Sequence, residues 1–294
     1  MTEGIHSVKI VAVTGPTATG KTALAVRLCR IFDGEVVSVD SRQVYRNLDI
    51  GSGKDLEEYG EIPYHLIDIV DPATEVYHLH RFCRDSYAAI ADIHRRGRLP
   101  VLCGGSALYL TALLRNYRLP GGELPLRSEG DIRRRQPEGA PPSFTPPFRL
   151  ESLVLGVYFD RSVVRERIAR RLDARLAAGL VDEVRRLHEE CGVSLEKLEF
   201  FGLEYREAAR LLRGECSAAE MRDTLLNRIR QFAKRQDIFF RKMEREGVVI
   251  QWLREGREPD PESLVRRFLA GETLPPPALR LSEIRYAVTG RTSK

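Results

Sequence analysis

The chain has 294 residues, is 43% hydrophobic and carries a formal net charge of +5. That length and apolar content suit one sizeable α/β core, and no apolar run approaches the roughly 18 residues a membrane span needs. The start Met1-Thr2-Glu3-Gly4 lacks the basic-then-apolar build of a secretory signal, so the expected compartment is the cytoplasm. The five cysteines are scattered with no C-x-x-C pair, which argues against a disulfide framework or a zinc site, and the six histidines show no metal-ligand spacing.

Short apolar runs alternate with helical patterns, the signature of a parallel sheet covered on both faces. Strands are predicted at Lys9–Thr14, Glu35–Val39, His65–Val70, Pro100–Cys103, Leu153–Tyr158 and Val248–Trp252. Helices are predicted near 20–32, 77–97, 106–115, 161–190, 201–213 and 217–246. Four segments follow: a core over 1–115, a proline-rich linker over 116–150, the rest of the core over 151–274 and a loosely held tail over 275–294.

After the first strand comes Gly15-Pro16-Thr17-Ala18-Thr19-Gly20-Lys21-Thr22, with the spacing G-x-x-x-x-G-K-[ST]. Glycines at both ends let consecutive backbone N–H groups turn toward phosphate oxygens, and the following helix adds its positive end. Lys21 would reach the terminal phosphates, and the Thr22 hydroxyl would ligate Mg²⁺. The loop implies a polyphosphate ligand, without saying which one, and an α/β fold of the P-loop NTPase-like type with a helical C-terminal part.

Two more strand ends open on the same predicted cleft. Asp40-Ser41-Arg42-Gln43-Val44-Tyr45 offers a carboxylate for proton transfer or Mg²⁺, although Asp40 and Ser41 are equally good helix caps. Gly104-Gly105-Ser106 allows close backbone approach and places a hydroxyl at a helix start, where capping alone would also explain the serine. Gly51-Ser52-Gly53-Lys54 reads as a loop supplying one basic residue, and Asp68 as either a second Mg²⁺ carboxylate or a structural group at a strand end.

The arginine clusters at 95–98, 133–135 and 165–171 read as solvated helix faces. Between Arg228 and Lys242 the pattern is different, because Asp237 alone supplies negative charge. Projected on a helix, Ile229, Phe232, Ala233, Phe239, Phe240 and Met243 share an apolar face. Arg230, Lys234 and Arg241 flank one edge, and Arg228, Arg235 and Lys242 the other. One stripe could meet diphosphate in the cleft and the other a nucleic-acid backbone.

In order along the chain, Gly15–Thr22, Asp40–Tyr45, Leu66-Ile67-Asp68 with Asp71-Pro72, Gly104–Tyr109, Gly202-Leu203-Glu204-Tyr205-Arg206-Glu207 and Gln231–Gln236 resemble the motifs of the tRNA dimethylallyltransferases. The resemblance spans about 1–115 and 150–255 and implies transfer of a dimethylallyl group from dimethylallyl diphosphate to N6 of a tRNA adenine beside the anticodon. It implies that the loop Gly15–Thr22 holds the diphosphate, with Mg²⁺ as cofactor and Thr22 as its ligand. It implies that Asp40 takes the N6 proton, Ser106 contacts the bridging oxygen and Arg230 neutralises the leaving diphosphate. RNA contacts fall on Asp40, Ser41, Arg42, Gln43, Lys234 and Arg235. The sequence departs from that pattern at Ser106, where threonine is usual, and at Gly51–Lys54. It also lacks the helical insertion that usually grips the anticodon stem. A chain acting as a monomer is expected. The other readings are prenylation of free AMP or ADP, a P-loop kinase of a small metabolite, and an idle RNA-binding paralogue.

Overall fold

The structure is a computed structural model, and residues 6–119 and 143–284 are described here. Six strands form one parallel sheet in the order β3-β2-β4-β1-β5-β6. They are β1 Ser7–Thr14, β2 Gly34–Ser38, β3 Tyr64–His65, β4 Leu99–Cys103, β5 Arg149–Tyr158 and β6 Ile250–Arg254. The helices are α1 Lys21–Phe32, α2 Leu79–Arg95, α3 Ala107–Leu114, α4 Arg161–Ala177, α5 Leu180–Glu189, α6 Leu195–Phe200, α7 Leu203–Leu212, α8 Ala218–Arg245 and α9 Pro261–Leu269.

Period-2 alternation sends neighbouring strand residues into different cores. Ile10 and Ala12 of β1 pack with α2, α3 and the C-terminal half of α8, whereas Val11 and Val13 pack with α1 and α9. A third apolar cluster joins α4 to α8 through Val164, Ile168 and Leu172 against Leu225, Ile229 and Ala233. This third layer stands above the carboxyl ends of the strands, where parallel sheets place their ligands.

Several expectations change. The predicted helix over 161–190 is two helices, because Gly179 takes φ 95° and ends the run. The strand predicted over 65–70 stops at His65, since Leu66 and Asp68 adopt φ 63° and 56° and leave the ladder. Helix α7 begins at Leu203, after a separate α6, and α9 is a helix that the apolar pattern does not predict. The segment predicted as linker up to residue 150 belongs to the core at its end, with β5 starting at Arg149 and Phe148 and Leu150 buried. Its stretch 120–142, with the cluster 133–135, lies outside the described residues. The tail is not loose up to 284. Leu281 is buried, and the Leu281 and Ser282 amides donate to the Glu244 carboxylate at 3.1 and 2.6 Å. Residues 285–294 lie outside the described residues.

Among the described residues, no helix is long and apolar enough to cross a membrane.

Candidate active site

The loop between β1 and α1 takes the conformation its glycines permit. Gly15 sits at φ 142°, and a Cβ there would lie 2.7 Å from the Val157 carbonyl oxygen, so only glycine fits both the angle and the space. Gly20, at φ 81°, precedes α1 without any side-chain cap, which leaves the first amides of the helix open to a ligand. The Lys21 ammonium donates to the Pro16 carbonyl at 2.8 Å. Burial pulls its pKa down from 10.5 to about 8; Arg171 adds to the fall, and Cys103 and Asp40 oppose it.

The cleft beside the loop has a volume of about 540 Å³ and brings together Lys21, Thr22, Asp40, Gln43 and Ser106. Three strand ends, β1, β2 and β4, thus converge as the sequence predicts. Neither Asp40 nor Ser106 acts as a helix cap. Asp40 Oδ1 accepts from the Arg42 amide at 2.8 Å in a turn that leads into no helix. Ser106 precedes α3 without capping it, and its Oγ accepts instead from the Ser41 amide at 3.1 Å. The hydroxyl and the carboxylate turn are therefore joined directly. Gly104 makes this approach possible, because a Cβ there would stand 2.1 Å from the Val39 carbonyl oxygen.

The loop after β2 is held from behind by groups buried under it. Glu183 of α5 accepts from the amides of Asp49, Ile50 and Gly51 at 3.0, 2.6 and 3.1 Å and from the Tyr205 hydroxyl at 2.9 Å. Gln43 then spans from the Ser38 hydroxyl to the Gly53 carbonyl. Lys54 is not a ligand-facing cation. It is 1% exposed and donates to the Tyr45 carbonyl and to the Asp49 and Asp68 carboxylates. The same contact ties Asp68 to Lys54, and Asp68 is not among the residues lining the cleft.

On α8 the buried stripe runs Met221, Leu225, Ile229, Ala233, Gln236, Phe240 and Met243. Phe232, expected on that face, is 42% exposed and lines the cleft mouth. In its place Gln236 points inward: its Oε1 accepts from the Thr17 amide at 2.9 Å and its Nε2 donates to the Gly105 carbonyl at 3.2 Å. Sequence reasoning gave Gln236 no role, and the signal available was a polar residue falling on the apolar stripe. Arg230 lines an adjoining apolar cavity of about 170 Å³ across Pro16, together with Lys234. Arg228 is not an open RNA contact, since it pairs with the buried Glu207 carboxylate at 2.7 Å. Arg235 is exposed.

The cluster 165–171, read as a solvated face, is only partly so. Arg167, Arg170 and Arg171 of α4 line the cleft, and Arg171 donates to the Thr17 hydroxyl.

The arrangement is a loop of uncapped helix-start amides with a carboxylate and a hydroxyl next to it, in a cleft that residues of α4 and α8 also line. Comparison with known proteins agrees with this chemistry. A family model described as IPP transferase matches residues 43–139 and 127–243, and one described as isopentenyl transferase matches 8–61. A tRNA dimethylallyltransferase 1 of Geotalea uraniireducens (strain Rf4) is 43% identical over 288 residues, which cover 86% of this chain and 95% of that one. A tRNA dimethylallyltransferase 2 of Syntrophotalea carbinolica (strain DSM 2380 / NBRC 103641 / GraBd1) is 44% identical over 303 residues, covering 89% and 99%. Among solved structures, the full-length tRNA isopentenylpyrophosphate transferase of Bacillus halodurans superposes with a TM-score of 0.69 at 29% identity, over 90% of this chain and 96% of that one. With two close relatives aligned over nearly their whole length and the phosphate loop, carboxylate turn and serine turn meeting in one cleft, the chain belongs to the tRNA dimethylallyltransferase (IPP transferase) family.

Proposed function

We propose that this chain transfers the dimethylallyl group of dimethylallyl diphosphate to N6 of the tRNA adenine next to the anticodon. The observation that carries the reading is the junction of Asp40 and Ser106 beside the phosphate loop, through the bond from the Ser41 amide to Ser106 Oγ at 3.1 Å. Here family membership and the paired carboxylate and serine both favour an exocyclic amine attacking an allylic carbon.

An adenine amine is a weak nucleophile, since its lone pair is delocalised into the ring, so the site works on both partners. The N6 nitrogen forms a bond to C1 of the prenyl group as the C1–O bond breaks, and the electron pair of that bond leaves on the diphosphate. Asp40 holds the amine in line and takes its proton. The loop Gly15–Thr22 presents its amides to the diphosphate, Lys21 and Arg230 oppose its growing charge, and Ser106 donates to the bridging oxygen. Ser41, Arg42 and Gln43 surround the incoming base, and Lys234 and Arg235 meet the RNA backbone. The adenine leaves the anticodon-loop stack to enter the cleft.

The donor set fits Mg²⁺. The Thr22 hydroxyl is a hard oxygen donor lining the cleft, and no cluster of three His, Cys, Asp or Glu exists among the described residues, so substrate phosphates and water would complete the shell. When bound, the ion would neutralise diphosphate charge. The enzyme is taken to act as a monomer.

The test is nucleoside mass spectrometry of unmodified tRNA incubated with the protein, dimethylallyl diphosphate and Mg²⁺. Isopentenyladenosine is expected from the wild type and a loss of about 10² to 10⁴ in rate from Asp40→Asn. Absence of the product beside a working control enzyme would refute the reading.

A further inference from the structure

Helix α4 carries arginines at 167, 171 and 175, one turn apart on a single face, while Val164, Ile168 and Leu172 anchor the adjacent face on α8. The lowest of the three, Arg175, has a carboxylate partner, Glu204 at 3.7 Å. So do several arginines of the neighbouring helices: Arg210 pairs with Glu207 and Glu215, Arg213 with Glu199 and Glu215, and Arg222 with Asp173. Arg167 and Arg171 differ. Arg171 is tied to a neutral oxygen of the phosphate loop, Thr17 Oγ1. Arg167 stacks on the Phe159 ring at 4.3 Å, and its buried Nη1 has no hydrogen-bond partner. Both line the cleft with Lys21 and Thr22.

We infer that Arg167 and Arg171 are catalytic residues that bind the diphosphate from the side facing the loop amides, closing a cationic ring whose other members are Lys21 and Arg230. The inference rests on the proposed prenyl transfer and deepens it. A desolvated guanidinium without a direct carboxylate partner is costly: burial and Arg175 draw the Arg171 pKa down to about 10, while Glu204, Asp55 and Asp40, none of them in an ion pair with it, oppose the fall. A site that keeps such a group unpaired is built for a charge that arrives with the substrate. Thr17 fixes what that charge is, because the residue that holds Arg171 belongs to the loop that cradles phosphate. Guanidinium forks suit the non-bridging oxygens of a diphosphate, and they act most strongly on charge that grows as the C1–O bond breaks. Arg230 lines the adjoining cavity, which Pro16 of the phosphate loop also borders. The leaving group is thus gripped from α4 and α8 together, the two helices that share the third apolar cluster.

The test measures calorimetric binding of inorganic pyrophosphate with Mg²⁺, steady-state prenyl transfer, and gel-shift binding of an anticodon stem-loop. The variants are Arg171→Gln, Arg171→Lys and Arg167→Gln, each checked for wild-type thermal unfolding. Removing one guanidinium from each position is expected to weaken pyrophosphate binding by about tenfold and to lower kcat by about 10²-fold, with stem-loop affinity within about twofold of the wild type. Arg171→Lys, which keeps the charge and loses the fork, falls between Arg171→Gln and the wild type. If both glutamine variants bind pyrophosphate as the wild type does, the inference is wrong while the prenyl-transfer reading stands. A loss of stem-loop affinity with pyrophosphate binding intact would also overturn it, by assigning the pair to RNA. Should the wild type itself bind neither pyrophosphate nor dimethylallyl diphosphate, the proposed function fails first.

Discussion

Replacing Gln236 by leucine removes one side chain and cuts two threads of the active site at once. Gln236 is 6% exposed, and it joins the Thr17 amide, at 2.9 Å, to the Gly105 carbonyl, at 3.2 Å. Leucine fills a similar volume without either bond, so an N–H and a C=O are left facing an apolar group. At about 1–3 kcal/mol for each buried polar group left without a partner, and with some relaxation, the cost is about 2–4 kcal/mol. Part of that appears as lower stability and part as drift of the loop against the serine turn. A misplacement of about 1 Å in such a site costs on the order of 10² in rate. Steady-state kinetics with both substrates saturating should show kcat down by about 10- to 100-fold, with the KM for tRNA within about twofold, because no RNA-facing group is touched. Gln236→Asn, one methylene too short to span both partners, should recover little of the loss. A Gln236→Leu enzyme with wild-type kcat and wild-type unfolding temperature would show that the bridge between α8 and the loop has no functional weight.

Three further outcomes follow from the geometry. Burial holds the Lys21 pKa at about 8, and a bound diphosphate favours its charged form. Affinity for pyrophosphate should therefore fall as pH rises above about 8, approaching tenfold per pH unit, and Lys21→Arg should flatten the profile. For folding the sign is opposite, since a lowered lysine pKa makes Lys21's own contribution to stability rise with pH between about 8 and 10.5. Glu183→Ala strips the acceptor from three backbone amides beneath the loop after β2; a destabilisation on the order of 3 kcal/mol is expected in urea titrations, and none would remove that loop's clamp from the account. Glu35 lies at the amino end of β2, opposite the cleft. Burial pushes its pKa up, but hydrogen bonds from His65, Arg96 and Arg98 more than offset this and hold it at about 2. Its stabilisation is full above the ordinary value of 4.5 and is lost as pH falls toward 2, so Glu35→Gln should flatten the acid limb of a stability–pH curve while leaving prenyl transfer at neutral pH unchanged.

The sequence carried the loop, the carboxylate turn and the serine turn because each follows a short apolar strand, and in a parallel sheet strand ends meet at one edge. Spacing alone was enough there. It was not enough on the helices. A helical wheel placed Phe232 inside, and the buried stripe drifts instead onto Gln236 because α8 packs against α4 with one half and against the sheet with the other. Which face of α4 meets the cleft depends on the same packing, so Arg167 and Arg171 looked like any solvated run. Other misses left local marks. Ala178-Gly179 is a helix stop and Asp260-Pro261 a helix start, with Asp260 capping α9 through the Glu262 and Ser263 amides. The short β3 had no such mark, since the positive φ of Leu66 and Asp68 is imposed by the Lys54 contact and by pairing of Ile69 and Val70 amides with Val44.

In the proposed function the main-chain anion cradle serves an isoprenoid leaving group and not a phosphoryl donor. Calorimetry of the purified protein with Mg²⁺, titrated in turn with dimethylallyl diphosphate and ATP, tests it most directly. Saturable binding of the C5 diphosphate, undiminished by equimolar ATP, is the predicted result. Tight ATP binding with no uptake of dimethylallyl diphosphate would contradict the account.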